Sequence, residues 1–235
     1  MEKVVLNIPH SGICVPRWAW KDMMVAECEF HSLVEFMTDR DVDVLWSFVP
    51  EENRQVASVS RLIVDVERFR KDEDEAMAGL GMGLYYTHAP DGKQFRRKAE
   101  DSYEECLRIY DEYHADLEAK VTKTLRRFGK CVLLDCHSFH DGMTYTGYAT
   151  DSFPDVCIGV NGRISAEAQT VMDAFSNAGY SVKINEPFSG SLVPLRYYDD
   201  PRVISVMIEL NRRIYCNENF AHIQRLCKRI YDCLT

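Results

Sequence analysis

The stretch CVLLDCHS, residues 131–138, is an apolar run that ends in polar side chains. A short continuous apolar run is typical of a strand buried on both faces of a sheet. In open α/β sheets, side chains at the carboxyl ends of strands face the crevice in which ligands bind. The stretch therefore predicts a buried strand from Cys131 to Cys136 whose end delivers a histidine, His137, to a functional site.

Other short runs with the composition of strands alternate with stretches of helical periodicity. The clearest helix runs from Glu100 to Phe128, where apolar and aromatic residues recur three or four positions apart. This alternation predicts an α/β fold with a largely buried sheet. Between the elements, Phe69 to Gly92 is charged and then glycine-rich, which predicts a solvated surface loop, with a lid over a site as the alternative. The remaining predicted strands are Val4 to Ile8, Arg61 to Val66, Val156 to Val160, Ser181 to Ile184 and Ile204 to Leu210, and the remaining predicted helices are His31 to Trp46, Ser165 to Asn177 and Asn217 onward.

The composition limits the classes of protein to which the chain can belong. Its 235 residues are 46% hydrophobic and no repeat or linker divides them, which predicts a single domain over residues 1–235. A formal charge of -9 disfavours a nucleic-acid partner, because phosphate binding needs clustered lysine and arginine. No run approaches the roughly 18 apolar residues of a membrane span or resembles a signal peptide, so we expect a cytoplasmic protein without a membrane partner. The nine cysteines are expected to be reduced, since their number is odd and no CxxC pair is present.

Two histidines follow predicted strands and suggest a metal site. His10 lies in IPHSG, directly after the first strand, and His137 follows the predicted strand from Cys131 to Cys136. A catalytic zinc site takes three protein ligands and keeps one position open for water. Asp39 is the candidate for the third ligand, and Asp43 is the substitute, because residues four apart in the predicted helix from His31 share a face. The competing interpretation of these acids is a solvated charged turn.

An acid and several arginines complete the candidate site. Glu209 lies in the apolar run VMIEL, and apolar surroundings raise the pKa of a carboxyl group, which suits a general base. The alternative for Glu209 is an ion pair with Arg212 or Arg213. A guanidinium binds a carboxylate with two parallel hydrogen bonds. The candidates for binding an acidic substrate in this way are Arg61, Arg68, Arg196 and Arg212.

Seven motifs in one order resemble the N-formylglutamate amidohydrolase family, and they span nearly the whole chain. They are a PHSG turn, a TD-x-x-x-D segment, an SR-x-x-x-D segment, a DCHS strand end, PD-x-x-x-G, a PF-x-G loop and IE-x-N-R-x-x-Y. In this sequence they occupy Pro9 to Gly12, Thr38 to Asp43, Ser60 to Asp65, Asp135 to Ser138, Pro154 to Gly159, Pro187 to Gly190 and Ile208 to Tyr215.

The resemblance implies a phosphorylase/hydrolase-like fold similar to zinc carboxypeptidases, with a mixed, mostly parallel sheet flanked by helices on both faces. It implies one Zn²⁺ per chain on His10, Asp39 and His137, with Glu209 as the catalytic base. The implied reaction is hydrolysis of N-formyl-L-glutamate, a small anionic acyl amino acid, to formate and glutamate in histidine degradation. One position departs from the family pattern, because Glu67 stands where asparagine is common, and an acid there would repel a dicarboxylate substrate.

Three other functions are compatible with the sequence. The same chemistry could act on another acyl amino acid or a short peptide, or a relative could bind such a ligand without turning it over. A cysteine hydrolase would pair Cys136 with His137, but neighbours on a strand point to opposite faces.

His114, on the apolar stripe of the long helix, fits a family pattern, with a packed core histidine as the alternative.

Overall fold

The computed structural model describes residues 3–141 and 153–235. Within them the strands are β1 Val4–Ile8, β2 Arg54–Val56, β3 Cys131–Phe139, β4 Val156–Gly159, β5 Val182–Ile184 and β6 Val203–Asn211. The α-helices are α1 Glu27–Met37, α2 Val42–Leu45, α3 Glu100–Phe128, α4 Ala166–Asn177 and α5 Phe220–Leu234. Short 3-10 helices occupy Arg17–Asp22, Glu51–Asn53, Asp72–Asp74, Ala76–Leu80, Leu195–Tyr197 and Arg212–Ile214.

The six strands form one mixed sheet in the order β2-β1-β3-β6-β4-β5. The pairs β1 with β3, β3 with β6 and β4 with β5 are parallel, and β4 runs antiparallel to β6. All nine residues of β3 are buried, as expected for a central strand covered on both faces. The prediction of a mixed, mostly parallel sheet is confirmed.

Helices cover both faces of this sheet. Alternate residues of its strands point to opposite sides, so both faces carry apolar side chains that pack against helices. On one side Leu134 and Cys136 pack in an apolar cluster with residues of α2, α4 and α5. On the other side Leu133 packs with Leu117 and Val121 of α3. The prediction of an α/β fold with helices on both faces is therefore confirmed.

The described residues divide into two compact units. The first comprises Met1–Ile8, Arg40–Gln55 and Leu117–Thr235, and it contains the sheet. The second comprises Pro9–Asp39 and Val56–Asp116. Its own apolar cluster is built from α1, the first part of α3 and the stretches 62–66 and 82–86. The expectation of a single domain over residues 1–235 stays a prediction.

Two predicted elements are wrong. Arg61 to Val66 is not a strand, because the amides of Ile63 and Val64 both bond back to the carbonyl of Ser60 and fold the segment into a turn. The predicted helix from His31 to Trp46 is interrupted, because α1 ends at Met37 and the chain adopts a left-handed conformation at Asp41, with φ 58°. Apolar content alone did not distinguish a buried turn from a buried strand.

The segment from Phe69 to Gly92 differs from the predicted solvated loop in its second half. Met82, Leu84, Tyr85 and Tyr86 are buried and belong to the apolar cluster of the second unit. Only its first part, with the charged stretch after Phe69, is mainly exposed. The segment is thus partly a core element of that unit.

In residues 3–141 and 153–235, no helix combines the length and the apolar character that a bilayer crossing requires.

Candidate active site

In the first unit, the neighbouring strands β3 and β6 place an imidazole beside a carboxylate. His137 and Glu209 are direct partners in the parallel register, so their side chains lie on the same face of the sheet. They are 3% and 8% exposed, respectively. Cys136, between Asp135 and His137, points to the opposite face and packs in the apolar cluster. The strand register thus brings His137 and Glu209 together and directs Cys136 away.

Asp135 fixes the orientation of the His137 ring. The Nε2–H of His137 donates to Oδ1 of Asp135 at 3.1 Å, and this carboxylate also accepts from Nδ2 of Asn7 and from the backbone amide of Leu192, both at 2.8 Å. Burial by itself raises the pKa of Asp135, but the charge of His137 and these hydrogen bonds hold it below its ordinary value. In the neutral tautomer that donates from Nε2, the lone pair of His137 is on Nδ1.

The arginines near this sheet have different surroundings. The Nε–H of Arg212 donates to Oγ of Ser138 at 3.3 Å, one residue after His137. Arg213 forms ion pairs with Asp141 at 2.7 Å and Asp155 at 3.0 Å. The side chain of Arg196 is 62% exposed and pairs with Glu118 of α3 at 3.2 Å. Arg212 is therefore adjacent to the polar end of β3, whereas Arg196 lies at the surface.

In the second unit, His10 lies among three carboxylates. Its Nε2–H donates to Oδ1 of Asp65 at 2.8 Å, and its Nδ1 lies 3.7 Å from Oδ2 of Asp39. Oε2 of Glu67 is 3.9 Å from Nε2. In the neutral tautomer that donates from Nε2 to Asp65, the lone pair of His10 is on Nδ1, the nitrogen that lies 3.7 Å from Oδ2 of Asp39. His10 therefore repeats the arrangement of His137, with a buried aspartate hydrogen-bonded to Nε2.

Asp65 also binds two of the predicted arginines. Nη2 of Arg61 donates to Oδ2 at 2.8 Å, the hydroxyl of Tyr86 donates to the same oxygen at 2.9 Å, and Nε of Arg68 lies 3.6 Å away. Burial by itself would raise the pKa of Asp65, but Arg61 and His10 hold it well below its ordinary value. Burial also opposes the charge on Arg68, yet Tyr86 and Asp65 raise the pKa of this guanidinium. Asp65 thus stays ionised and holds His10, Arg61 and Arg68 in one cluster.

The structure separates the two acids that the sequence offered as the third metal ligand. Asp39 is 1% exposed and lies in the turn after α1, where its amide bonds to the carbonyl of His10 at 2.9 Å. Asp43 is half-buried and belongs to α2 in the first unit. The expectation that Asp39 and Asp43 share a helix face is wrong, because the helix is interrupted between them.

The sequence indicates no role for three residues that hydrogen-bond within the candidate site, namely Asp135, Asp65 and Tyr86. Asp135 precedes His137 by two positions on a strand, and this spacing could have indicated that the side chains share a face. Asp65 was noted as part of a motif but predicted to lie in a strand. Tyr86 lies in a segment without periodicity, so no pattern indicated it.

The donor set suits a metal ion. Histidines that bind metals commonly donate their other N–H to a carboxylate, which fixes the ring and makes the free nitrogen more basic. Both His10 and His137 are buried and hydrogen-bonded in this way. Two ligand atoms at about 2.1 Å from a tetrahedral ion lie about 3.4 Å apart, close to the 3.7 Å between Nδ1 of His10 and Oδ2 of Asp39.

The fold and these polar strand ends define an α/β protein with the imidazole and carboxylate groups of a hydrolytic enzyme. The family model of N-formylglutamate amidohydrolase matches residues 2–216. Because the match covers most of the chain, the protein belongs to the N-formylglutamate amidohydrolase family and is an amidohydrolase by class.

Two solved structures are similar to this chain. The crystal structure of N-formylglutamate amidohydrolase from Ralstonia eutropha JMP134 has a TM-score of 0.83 at 22% identity, over 98% of this chain and 91% of the other. The crystal structure of a gene product from Agrobacterium tumefaciens has a TM-score of 0.71 at 17% identity, over 99% and 90%. Both likenesses support the fold. A search of curated proteins returned no match.

Proposed function

We propose that the protein is a zinc-dependent amidohydrolase that converts N-formyl-L-glutamate to formate and L-glutamate. The observation that carries the proposal is the pair of buried histidines, each with Nε2 bound by an aspartate, in a chain of this family. The proposed ligands of one Zn²⁺ per chain are His10, Asp39 and His137. A zinc ion there would activate a water molecule and polarise the formyl oxygen.

The residues of the chain have separate roles in the proposed reaction. Glu209, beside His137 in the sheet register, accepts the proton of the attacking water and returns it to the leaving amine. Arg61 and Arg68 hold a substrate carboxylate, and Asp65 and Tyr86 keep these guanidinium groups in place. Arg212, next to Ser138, is proposed for a second carboxylate.

The family also suggests a biological setting. We propose a role in histidine degradation and a cytoplasmic location. All nine cysteines are free thiols, and five of them are buried, which agrees with a reducing compartment.

The direct experiment is an assay of acyl amino acids with purified protein. Formate release from N-formyl-L-glutamate, at a kcat/KM above that for N-acetyl-L-glutamate, N-formyl-L-methionine and a dipeptide, is the expected result. A higher kcat/KM for a substrate with a neutral side chain would favour the alternative in which Glu67 selects against a second carboxylate. Binding of N-formyl-L-glutamate without formate release would favour a non-catalytic relative.

The third metal ligand can be tested by paired substitutions. Asp39→Asn is expected to weaken zinc binding by at least about 100-fold, more than the loss of a group that only supports a ligand. Asp43→Asn, at the half-buried position in α2, should bind zinc as the wild type does. Zinc content and competition with a chelator measure both effects. A larger loss in Asp43→Asn, or in Glu67→Gln, would move the assignment to that acid.

Substrate binding by the arginines has its own test. Arg68→Gln is expected to raise KM for N-formyl-L-glutamate about 10- to 100-fold, since a hydrogen bond to a charged group contributes about 1.5–3 kcal/mol. Arg196→Gln is the matched control, because its exposed side chain pairs with Glu118, and its KM should stay within about twofold of wild type. Equal effects in steady-state kinetics would contradict the role given to Arg68.

A cysteine nucleophile is tested by Cys136→Ser. The thiol of Cys136 is fully buried in an apolar cluster, and burial raises its pKa well above the ordinary value, so it is not poised to form a thiolate. We expect kcat within about twofold of wild type and lower thermal stability, since a buried hydroxyl costs about 1–3 kcal/mol. Complete loss of activity in a folded protein would instead indicate a cysteine hydrolase.

A further inference from the structure

The segment from Ile63 to Arg68 carries much of the proposed site without belonging to a helix or strand. It contains Asp65, Glu67 and Arg68, and its residues are buried from Ile63 to Val66 and half-buried at Glu67 and Arg68. Buried carbonyl groups require hydrogen-bond donors, and regular structure does not supply them here. The hydrogen-bond donors around the segment therefore determine the conformation of its backbone.

Those donors come mainly from side chains of α3. The Nε2–H of His114 donates to the carbonyl of Val66 at 2.7 Å, and the hydroxyl of Tyr110 donates to the carbonyl of Arg68 at 3.0 Å. The thiol of Cys106 donates to the carbonyl of Ile63 at 3.1 Å, as does Nη1 of the buried Arg96 at 2.9 Å. Three backbone carbonyls of the segment are thus held by one helix.

The spacing of these side chains explains how one helix can reach the whole segment. Cys106, Tyr110 and His114 are four residues apart, so they form a single row on α3. The rings of Tyr110 and His114 pack with their centroids 4.2 Å apart, which restricts both side chains. Burial lowers the pKa of His114, so the ring is neutral near pH 7, and its Nε2–H is committed to the carbonyl of Val66.

Two of these three carbonyls, those of Val66 and Arg68, lie next to or within residues of the proposed site. Val66 lies between Asp65 and Glu67, and the bond from His114 fixes the peptide plane that joins Val66 to Glu67. The bond from Tyr110 fixes the backbone of Arg68 itself. Within the segment, the amide of Arg68 reaches the carbonyl of Asp65 only at 3.3 Å, a long hydrogen bond.

We infer that Tyr110 and His114 are positioning residues that set the backbone of the Asp65–Arg68 segment and thereby aim the Arg68 guanidinium at the substrate carboxylate. The inference rests on the proposed function for its kinetic consequence. Its structural part, the control of the segment by these two side chains, does not depend on the reaction.

Three substitutions and one control separate the hydrogen bonds from general packing. Tyr110→Phe removes one hydroxyl, and His114→Ala removes the imidazole. His114→Gln places an amide N–H near the position of Nε2 and should keep the bond to Val66. Tyr103→Phe is the control, because it removes the same hydroxyl from a half-buried tyrosine of the same helix that packs on Tyr85.

The first readout is hydrogen–deuterium exchange of residues 60–69 in each purified variant. Loss of one buried hydrogen bond should speed exchange of this segment about 5- to 10-fold in Tyr110→Phe and His114→Ala. Exchange in His114→Gln and Tyr103→Phe should stay within about twofold of wild type. Unchanged exchange in Tyr110→Phe, or equal acceleration in Tyr103→Phe, would overturn the inference even if His114→Ala failed to fold.

The second readout is the kinetics of formate release from N-formyl-L-glutamate. Tyr110→Phe should raise KM about 5- to 10-fold and change kcat less than about twofold, because Arg68 acts in binding. A fall in kcat with unchanged KM would overturn the assignment to Arg68. If the wild type releases no formate, the proposed function fails, and the exchange of residues 60–69 still decides whether Tyr110 and His114 position the segment.

Discussion

Glu209→Gln is expected to lower kcat for formate release by about 100- to 10,000-fold, the range typical for loss of a positioned general base. The amide keeps the size of the side chain and its place in β6, beside His137 in the register, but it cannot accept the proton of the attacking water. The substitution leaves the proposed zinc ligands intact. We therefore expect unchanged zinc content together with the loss of turnover.

The control for Glu209→Gln is the same change at an exposed acid. Glu218→Gln, in the loop before α5, removes one carboxylate from the surface and should keep kcat within about twofold of wild type. Steady-state kinetics and metal analysis on the two variants provide the comparison. Wild-type turnover in Glu209→Gln would remove the base from the proposed mechanism, and loss of zinc would make Glu209 a ligand instead.

His137→Ala is expected to abolish zinc binding and with it the activity. The imidazole is one of three proposed protein ligands, so its loss should weaken zinc affinity by at least about 100-fold. The protein should still fold, because Asp135 keeps its hydrogen bonds from Asn7 and from the amide of Leu192. Loss of zinc from a folded chain would thus report the missing ligand directly.

His222→Ala is the matched control for that experiment. His222 is exposed on α5, and its substitution deletes an imidazole that is not one of the proposed zinc ligands. Zinc titration followed by circular dichroism should show wild-type affinity in this variant and a folded apoprotein in His137→Ala. Full zinc occupancy in His137→Ala would contradict the ligand set.

The sequence predicted the sheet well because its central strands are continuous apolar runs. Val4 to Ile8 appears as β1, and Cys131 to Cys136 appears within β3, which extends to Phe139. The same criterion failed at Arg61 to Val66, where a largely apolar stretch is a buried turn, and the carbonyls of Ile63 and Val66 accept hydrogen bonds from side chains of α3. Such partners lie about 40 residues away in the chain, so local pattern cannot reveal them.

The site residues that could be predicted from the sequence are those that follow an apolar strand directly. His137 follows from the end of an apolar run, and the register then places Glu209 beside it, which the sequence did not reveal. The helix-face argument for Asp39 is wrong, since Asp39 lies in a turn next to His10 and not on a helix face. The roles of Asp65 and Tyr86 depend on hydrogen bonds between distant segments, which no spacing rule encodes.

The most direct test of the proposed function is the zinc content of untagged protein measured together with formate release from N-formyl-L-glutamate. We expect close to one zinc per chain, activity that a chelator removes and activity that added zinc restores. Bound zinc without formate release would support the metal site and indicate that the substrate is another acyl amino acid. A metal-free protein that hydrolyses the substrate at full rate, or one with neither metal nor activity, would contradict the proposed zinc-dependent mechanism.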